Sequence, residues 1–433
     1  MSYPIDVAKP NRPISEPSPF RVSEVVSALT LALDLGEGQP LGHSVRTCVL
    51  GMRLAQEIGL PQGSQGDLYY ALLMKSAGSS SHTSALFQSS DGWSEPPHAK
   101  EQERELARVR CDVGALIARR MGLSEQTASA IRSMDEHWNG DGNPNGVHGE
   151  EIPLMARILS LAQTLEVSHA AGGPLLALDT ARQRSGSWFD PELVRAAHSL
   201  AAADALWAGM ADADRRVIEM EPLEKPLDAT EATLDQICEA FSEVIDTKAP
   251  FVSRHSTAVA GTATFIARIL GLRKSDVTLL RRAALLHDIG KLGISNSILE
   301  KPGKLTSEEW VELRKHAFYS YAILKRVPGF GELSEIAGSH HEKLDGSGYF
   351  RGLKAEQLSL PTRILVIADI YDALSAKRPY RNGLPPELAL QMMKQQAPHA
   401  LDATCLDALM RSLDPETSNA AGLAQLSANL QHN

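Results

Sequence analysis

From Val22 onward, apolar residues recur at intervals of three and four: Val22, Val25, Val26, Leu29 and Leu33. That period marks one face of an amphipathic helix. After the turn-forming Gly36-Glu37-Gly38-Gln39-Pro40, a second helix is predicted from near His43 to Gly59, and Asp67 to Met74 reads as a third. Helical pattern resumes over Glu101–Met121 and Ser124–His137. Between Asn139 and Gly149 the chain is rich in Gly and Asn, the composition of a loop, before Pro153-Leu154-Met155-Ala156-Arg157-Ile158-Leu159 opens another apolar helix. Further helices follow to about Ile218, and period-two alternation is scarce throughout. The predicted fold class is all-α.

The order then repeats. Gly42-His43-Ser44 matches Arg254-His255-Ser256, and Ala55-Gln56-Glu57-Ile58-Gly59-Leu60 matches Ala267-Arg268-Ile269-Leu270-Gly271-Leu272 at a constant offset of 212. Past the Ser- and Pro-rich stretch Ser79–Pro97, read as a loop, the offset becomes 206 and pairs Glu136 with Glu342 and Arg157-Ile158-Leu159 with Arg363-Ile364-Leu365. A register kept over such a length indicates a tandem duplication. The expected organisation is a disordered, Pro-rich tail at 1–18, a first helical-bundle domain at 19–218, a linker at 219–229 and a second domain at 230–433.

Duplication allows the halves to be read against each other. The second has His287-Asp288 where the first has Lys75-Ser76, His340-His341 where the first has Met134-Asp135, Asp369 for Gln163, and His316 for Arg110. Only His255 keeps a histidine partner, His43. Both copies retain the apolar frame, whereas one copy alone carries the imidazoles and carboxylates. Core packing does not sort residues in this way; metal ligation does. Taken alone, Ala284-Leu285-Leu286-His287-Asp288-Ile289-Gly290-Lys291 is also compatible with a helix end followed by its glycine. Together, His255, His287, Asp288, His316, His340, His341 and Asp369 exceed the needs of one tetrahedral ion. They suit two divalent ions bridged by a carboxylate, most simply Asp288. Imidazole with carboxylate fits iron, manganese, nickel or zinc without choosing among them; iron or manganese is expected first, then nickel or zinc.

The net charge of −10 and an aromatic content of 5% exclude a general binder of DNA or RNA polymers, which needs a basic surface. The cysteines Cys48, Cys111, Cys238 and Cys405 have no CxxC spacing and read as buried free thiols of a reducing compartment. No stretch reaches the length of a membrane span, so a cytoplasmic protein without membrane contact is expected.

The residues from His287-Asp288-Ile289-Gly290-Lys291, through Arg314-Lys315-His316, His340-His341-Glu342 and Asp345-Gly346-Ser347-Gly348-Tyr349-Phe350, to Asp369 and Arg378-Pro379-Tyr380-Arg381 resemble the HD-GYP subfamily of HD-domain phosphohydrolases. The first half resembles a degenerate, non-catalytic HD domain. The resemblance implies a metal-dependent phosphodiesterase of a cyclic dinucleotide, cyclic di-GMP first. The alternatives are 3′,3′-cyclic GMP-AMP as substrate, or a non-catalytic signalling adaptor. It carries the seven residues above onto metal-ligand positions and makes Asp288 and Lys291 catalytic, with Lys291 facing the scissile phosphate. Substrate contacts then fall on Lys291, Tyr349, Arg378 and Arg381. Asp372, one turn after Asp369, is a candidate to orient a ligand. The first domain is expected to bind a signalling partner or to dimerise.

Two positions depart from the family pattern. The signature Gly-Tyr-Pro is Gly348-Tyr349-Phe350, which removes a proline that would fix the loop φ. Phe251 stands one turn before His255, where some members place a third-metal glutamate, so two ions are expected rather than three. His82, His98, His137 and His148 read as surface or structural residues.

Overall fold

The computed structural model describes residues 21–79, 99–222, 230–248, 254–301, 303–376 and 383–413. Arg378, Pro379, Tyr380, Arg381, Phe251, His82, His98, the tail at 1–18, nearly all of the Ser-rich stretch and most of the linker lie outside them. The described residues form helices, with no strand; isolated bridges join Ser185 with Phe189 and Asp345 with Lys354. The all-α expectation holds.

In the first copy the helices are α1 (Val22–Gly36), α2 (His43–Glu57), α3 (Gln62–Met74), α4 (Ala99–Arg120), α5 (Glu125–Arg132), α6 (Leu154–Gln183), α7 (Pro191–Ala202) and α8 (Ala213–Glu219). The second copy has α9 (Glu231–Lys248), α10 (His255–Ile269), α11 (Lys274–Leu286), the 3-10 turn Ile289–Gly293, the short α12 (Asn296–Leu299), α13 (Ser307–Leu324), α14 (Gly331–Gly338), α15 (Leu360–Ser375), α16 (Pro386–Lys394) and α17 (Ala403–Ser412). The bounds of α2 and α10, and of α3 and α11, differ by the 212 read from sequence; those of α5 and α14 differ by 206. The helix predicted over Ser124–His137 stops at Arg132, and residues from Ser133 onward turn back so that Glu136 can anchor the next loop.

Local chemistry explains the boundaries. Ser124, Asp190, Thr306, Ser359 and Asp402 each accept a backbone N–H at a helix start, and Thr306 forms a reciprocal capping box with Glu309. Both duplicated helices α2 and α10 begin after a left-handed residue, Gly42 and Arg254. In each, an aspartate from the preceding helix takes up the freed N–H groups: Ser44 N donates to Asp34 and Ser256 N to Asp246. Arg157 with Asp190 and Arg363 with Asp402 form the same ion pair in the two copies.

One apolar core runs through both halves. Helix α1 of the first copy packs on the Ile289–Gly293 turn of the second, with Leu292 buried beside Gly36 and a β-carbon at Gly293 only 3.3 Å from Leu35 Cδ1. The first copy therefore braces the turn that carries Lys291. Among the described residues no helix is long and apolar enough to cross a membrane, and the four cysteines are buried and unpaired.

Candidate metal centre

Seven side chains from five segments converge. His255 opens α10; His287 and Asp288 follow the last residue of α11; His316 lies in α13; His340 and His341 follow α14; Asp369 lies in α15. All seven predicted ligands are thus brought together, although they span more than a hundred residues. His287 and His340 are fully buried, and Asp288 and His316 nearly so.

Four of the five rings have Nδ1 tied down. His287 Nδ1 donates to the Ala284 carbonyl at 2.7 Å, His316 Nδ1 to Leu313 at 2.6 Å and His340 Nδ1 to Ala337 at 2.5 Å. His255 Nδ1 pairs with Asp372 Oδ2 at 2.5 Å, so Asp372 is the orienting carboxylate the sequence pointed to. With Nδ1–H committed, Nε2 carries the lone pair, the tautomer and aim of a metal-ligating histidine.

These free nitrogens gather around Asp288 in two sets. His255 Nε2 and His287 Nε2 lie 3.5 and 3.3 Å from Asp288 Oδ2, and Asp369 Oδ1 lies 3.4 Å from His255 Nε2. His316 Nε2 and His340 Nε2 lie 3.5 and 3.6 Å from Asp288 Oδ1. His341 Nε2 is 3.1 Å from His316 Nε2, and its Nδ1 is 3.8 Å from Asp369 Oδ2. Two ligand atoms each ~2.1 Å from one ion at a tetrahedral angle stand ~3.4 Å apart, so these separations fit shared ions better than hydrogen bonds. His287 Nε2 and Asp288 Oδ1 are buried with no hydrogen-bond partner, a costly condition that ligation would remove. The groups His255–His287–Asp288 and His316–His340–His341 each bring their ligand atoms within 4.8 Å of one another. The residues therefore fit two ions with Asp288 between them.

The electrostatics divide along the same line. Burial, with neighbouring cationic groups, pushes the His316 imidazole down to about 4 and His341 down to about 3, and drives His340 down as well. Those three rings are neutral and ready to ligate. Burial also works against protonation of His255 and His287, but the carboxylates Asp288 and Asp369 outweigh it and hold both above the ordinary imidazole range. Burial opposes ionisation of Asp288 and Asp369 too, yet the surrounding histidines keep both carboxyls low and charged. Lys291 Nζ donates to Asp288 Oδ2 at 2.5 Å, so its charge rests on the central carboxylate of the cluster.

The signature loop closes one side. Buried Glu342 accepts the backbone N–H groups of Arg351, Gly352 and Leu353, just as Glu136 accepts those of Asn145 and Gly146 in the first copy. This aims the Tyr349 ring at His341, with centroids 4.6 Å apart. Phe350 has φ +88°, a value closed to proline, and its ring packs on Phe318 and Tyr321. The departure from the signature is thus accompanied by a different backbone. Of the four first-half histidines read as surface or structural, His137 stacks on Trp188 and His148 pairs with Glu151; His82 and His98 lie outside the described residues. Sequence reasoning missed Asp246 and the anchoring role of Glu342. Both had a signal in the repeat register, since Asp34 and Glu136 stand at the matching places.

Comparison with known proteins agrees with this geometry. The HD domain family model matches residues 31–193 and 239–405. The 3′3′-cGAMP-specific phosphodiesterase 3 of Vibrio cholerae is 39% identical over 437 residues, covering 91% of this chain and 95% of that protein. A cyclic di-GMP phosphodiesterase of Thermotoga maritima is 37% identical over 188 residues, covering 40% of this chain and 51% of that protein. A crystal structure of a cyclic GMP-AMP specific phosphodiesterase of V. cholerae, V-cGAP3, superposes with a TM-score of 0.68 at 37% identity over 92% of this chain and 99% of that one. With the family model matching each half in turn and the seven candidate ligands assembled in the second, the chain belongs to the HD-domain family, and its second copy carries the HD-GYP pattern.

Proposed function

We propose that this protein hydrolyses a phosphodiester of a cyclic dinucleotide, with 3′,3′-cyclic GMP-AMP ahead of cyclic di-GMP. The observation that carries the reading is Asp288, whose two oxygens face two separate histidine sets. The sequence motifs put cyclic di-GMP first; the relative that matches nearly full length is specific for cyclic GMP-AMP and reverses that order.

His255, His287, Asp288 and Asp369 would hold one ion, and His316, His340, His341 and Asp288 the other. Two such ions would supply water activation at neutral pH and positive charge for the phosphoryl oxygens. Iron or manganese comes first, although the mixed imidazole and carboxylate set also fits nickel or zinc. Asp372 fixes the His255 ring and its tautomer. Lys291, one quarter exposed, is three residues from Asp288 and can turn its ammonium to a non-bridging phosphate oxygen as charge grows there. Tyr349 flanks the bound dinucleotide, and Arg378 and Arg381, at positions where the family pattern holds the dinucleotide, are of the residue type suited to its phosphates. The product is the linear dinucleotide, with a second cut to mononucleotides as the alternative. Buried free thiols suit the reducing cytoplasm as the place of reaction. The first copy lacks the ligands and serves as brace and as a docking or dimer surface.

The test is turnover of both cyclic dinucleotides by purified protein loaded with manganese or iron, beside the His287→Ala, Asp288→Ala double variant. Hydrolysis should fall by about 10³-fold or more in the variant, and the ratio of kcat/KM values should favour 3′,3′-cyclic GMP-AMP. No turnover of either nucleotide with two ions bound per chain would contradict the reading.

A further inference from the structure

Beside the metal centre, α13 presents a stack that no step above has used. The Arg314 guanidinium lies over the Tyr349 ring at 5.1 Å and over the Trp310 ring at 6.0 Å. Tyr349 in turn faces the ligand His341. The series therefore runs from the protein surface to the metal ligands.

Three observations separate this from ordinary packing. Trp310 is 47% exposed and its neighbour Val311 62% exposed, so the indole offers an open face rather than filling core. Arg314 has no carboxylate partner among the described residues, whereas adjacent Lys315 pairs with Glu312. An exposed guanidinium spread on a ring keeps its N–H edge free for an acceptor. Finally, the duplication sorts these residues as it sorts the metal ligands. At the same register the first copy has Arg104 for Trp310 and Asn143 for Tyr349, and its Arg108, opposite Arg314, is paired to Glu105. The copy without the metal ligands also lacks the aromatic faces.

We infer that Trp310, Arg314 and Tyr349 form a stacking platform for one purine base of the dinucleotide, with Trp310 and Arg314 as binding residues beyond the metal centre. The inference rests on the phosphodiesterase reading above. Aromatic faces bind any base by stacking, while the Arg314 edge adds preference for a base with acceptors such as guanine O6 and N7.

The test uses full-length, metal-loaded protein and the variants Trp310→Ala, Trp310→Phe, Arg314→Gln and Arg314→Lys. KM and kcat for 3′,3′-cyclic GMP-AMP are measured with bound metal per chain, and affinity is measured separately by calorimetry. Trp310→Ala should raise KM about 10- to 100-fold, the worth of one lost base stack, with kcat and metal content kept. Trp310→Phe should recover most of that loss, and Arg314→Lys should bind less well than wild type because it keeps charge but not the flat edge. Unchanged KM in both Trp310→Ala and Arg314→Gln would overturn the platform. A parallel fall in kcat and bound metal would also overturn it, since that marks a structural support of Tyr349 and His341. If wild-type protein binds the dinucleotide without cleaving it, the phosphodiesterase reading fails while weaker binding by Trp310→Ala still upholds the platform. If wild-type protein does not bind it, both fail.

Discussion

In both copies a histidine opens the same helix with its Nδ1 on a carboxylate, His43 on Glu166 and His255 on Asp372. Across the bundle the copies diverge. The second gathers imidazoles and carboxylates that leave His287 Nε2 and Asp288 Oδ1 buried without partners. In the first, side chains supply the cations. Lys75, fully buried at the place of His287, lies 2.9 Å from Ser76 Oγ and 3.5 Å from Glu37; Arg46 binds Glu166; and Arg110, at the place of His316, pairs with Asp135. A buried carboxylate needs a compensating charge. The first copy provides it with side chains throughout, whereas the second has Lys291 on Asp288 and a cluster of imidazoles that could hold ions. The comparison teaches that one helical frame carries either ammonium and guanidinium groups or a histidine–carboxylate cluster at the same places.

The largest break in that comparison should come from Lys75→Met. It leaves Glu37 and its neighbours without their cation and should cost about 3–5 kcal/mol in denaturant unfolding, with the second copy's metal content preserved in the folded protein. A loss under about 1 kcal/mol would show that Lys75 is not the charge substitute. Next, Asp372→Asn should weaken metal binding by about 10- to 100-fold, because it alters the partner that fixes the His255 tautomer; competition with a chelator reads it, and unaltered affinity counts against the orienting role.

A paired substitution sharpens the same contrast. Gly290 and Gly78 occupy matching sites where a β-carbon would run into the carbonyl of His316 and of Arg110, respectively. Gly290→Ala and Gly78→Ala should each cost about 1–3 kcal/mol, but Gly290→Ala alone should reduce activity in protein that remains folded. Equal activity losses would mean that the copies do not differ functionally at this turn.

The smallest effect is one of pH. Burial raises the Glu37 carboxyl, but the Lys75 ammonium, the Ser79 and Ser76 hydroxyls and His43 together outweigh it and bring it to about 2. A carboxyl held below its unfolded value binds fewer protons when folded, so its stabilisation is complete above pH ~4.5 and fades as the pH falls toward ~2. The stability difference between wild type and Glu37→Gln should shrink over that window. A difference that stays constant from pH 6 to 3 would contradict the assignment.

Much of this contrast is legible in the sequence because duplication places two answers to one packing problem side by side. Helix starts at His43 and His255 and the seven ligands follow from spacing and from what one copy lacks. The rest depends on three-dimensional relations that no local pattern encodes. Nothing in the sequence assigns Arg314 a contact, and Tyr349, 35 positions later, is folded beneath it. The early end of α5 follows from Glu136 reaching backbone N–H groups of the loop, and the positive φ of Phe350 from that same loop's path. The bracing of Lys291's turn by α1 likewise joins residues from opposite halves.

The most direct test counts metal ions per chain in the wild type, in Asp288→Ala and in Ser76→Ala, the matching change in the first copy. The account predicts two ions in wild type, two in Ser76→Ala, and loss of both in Asp288→Ala because that carboxylate serves both sets. Two ions retained in Asp288→Ala, or an ion lost in Ser76→Ala, would contradict a metal centre built in the second copy around Asp288.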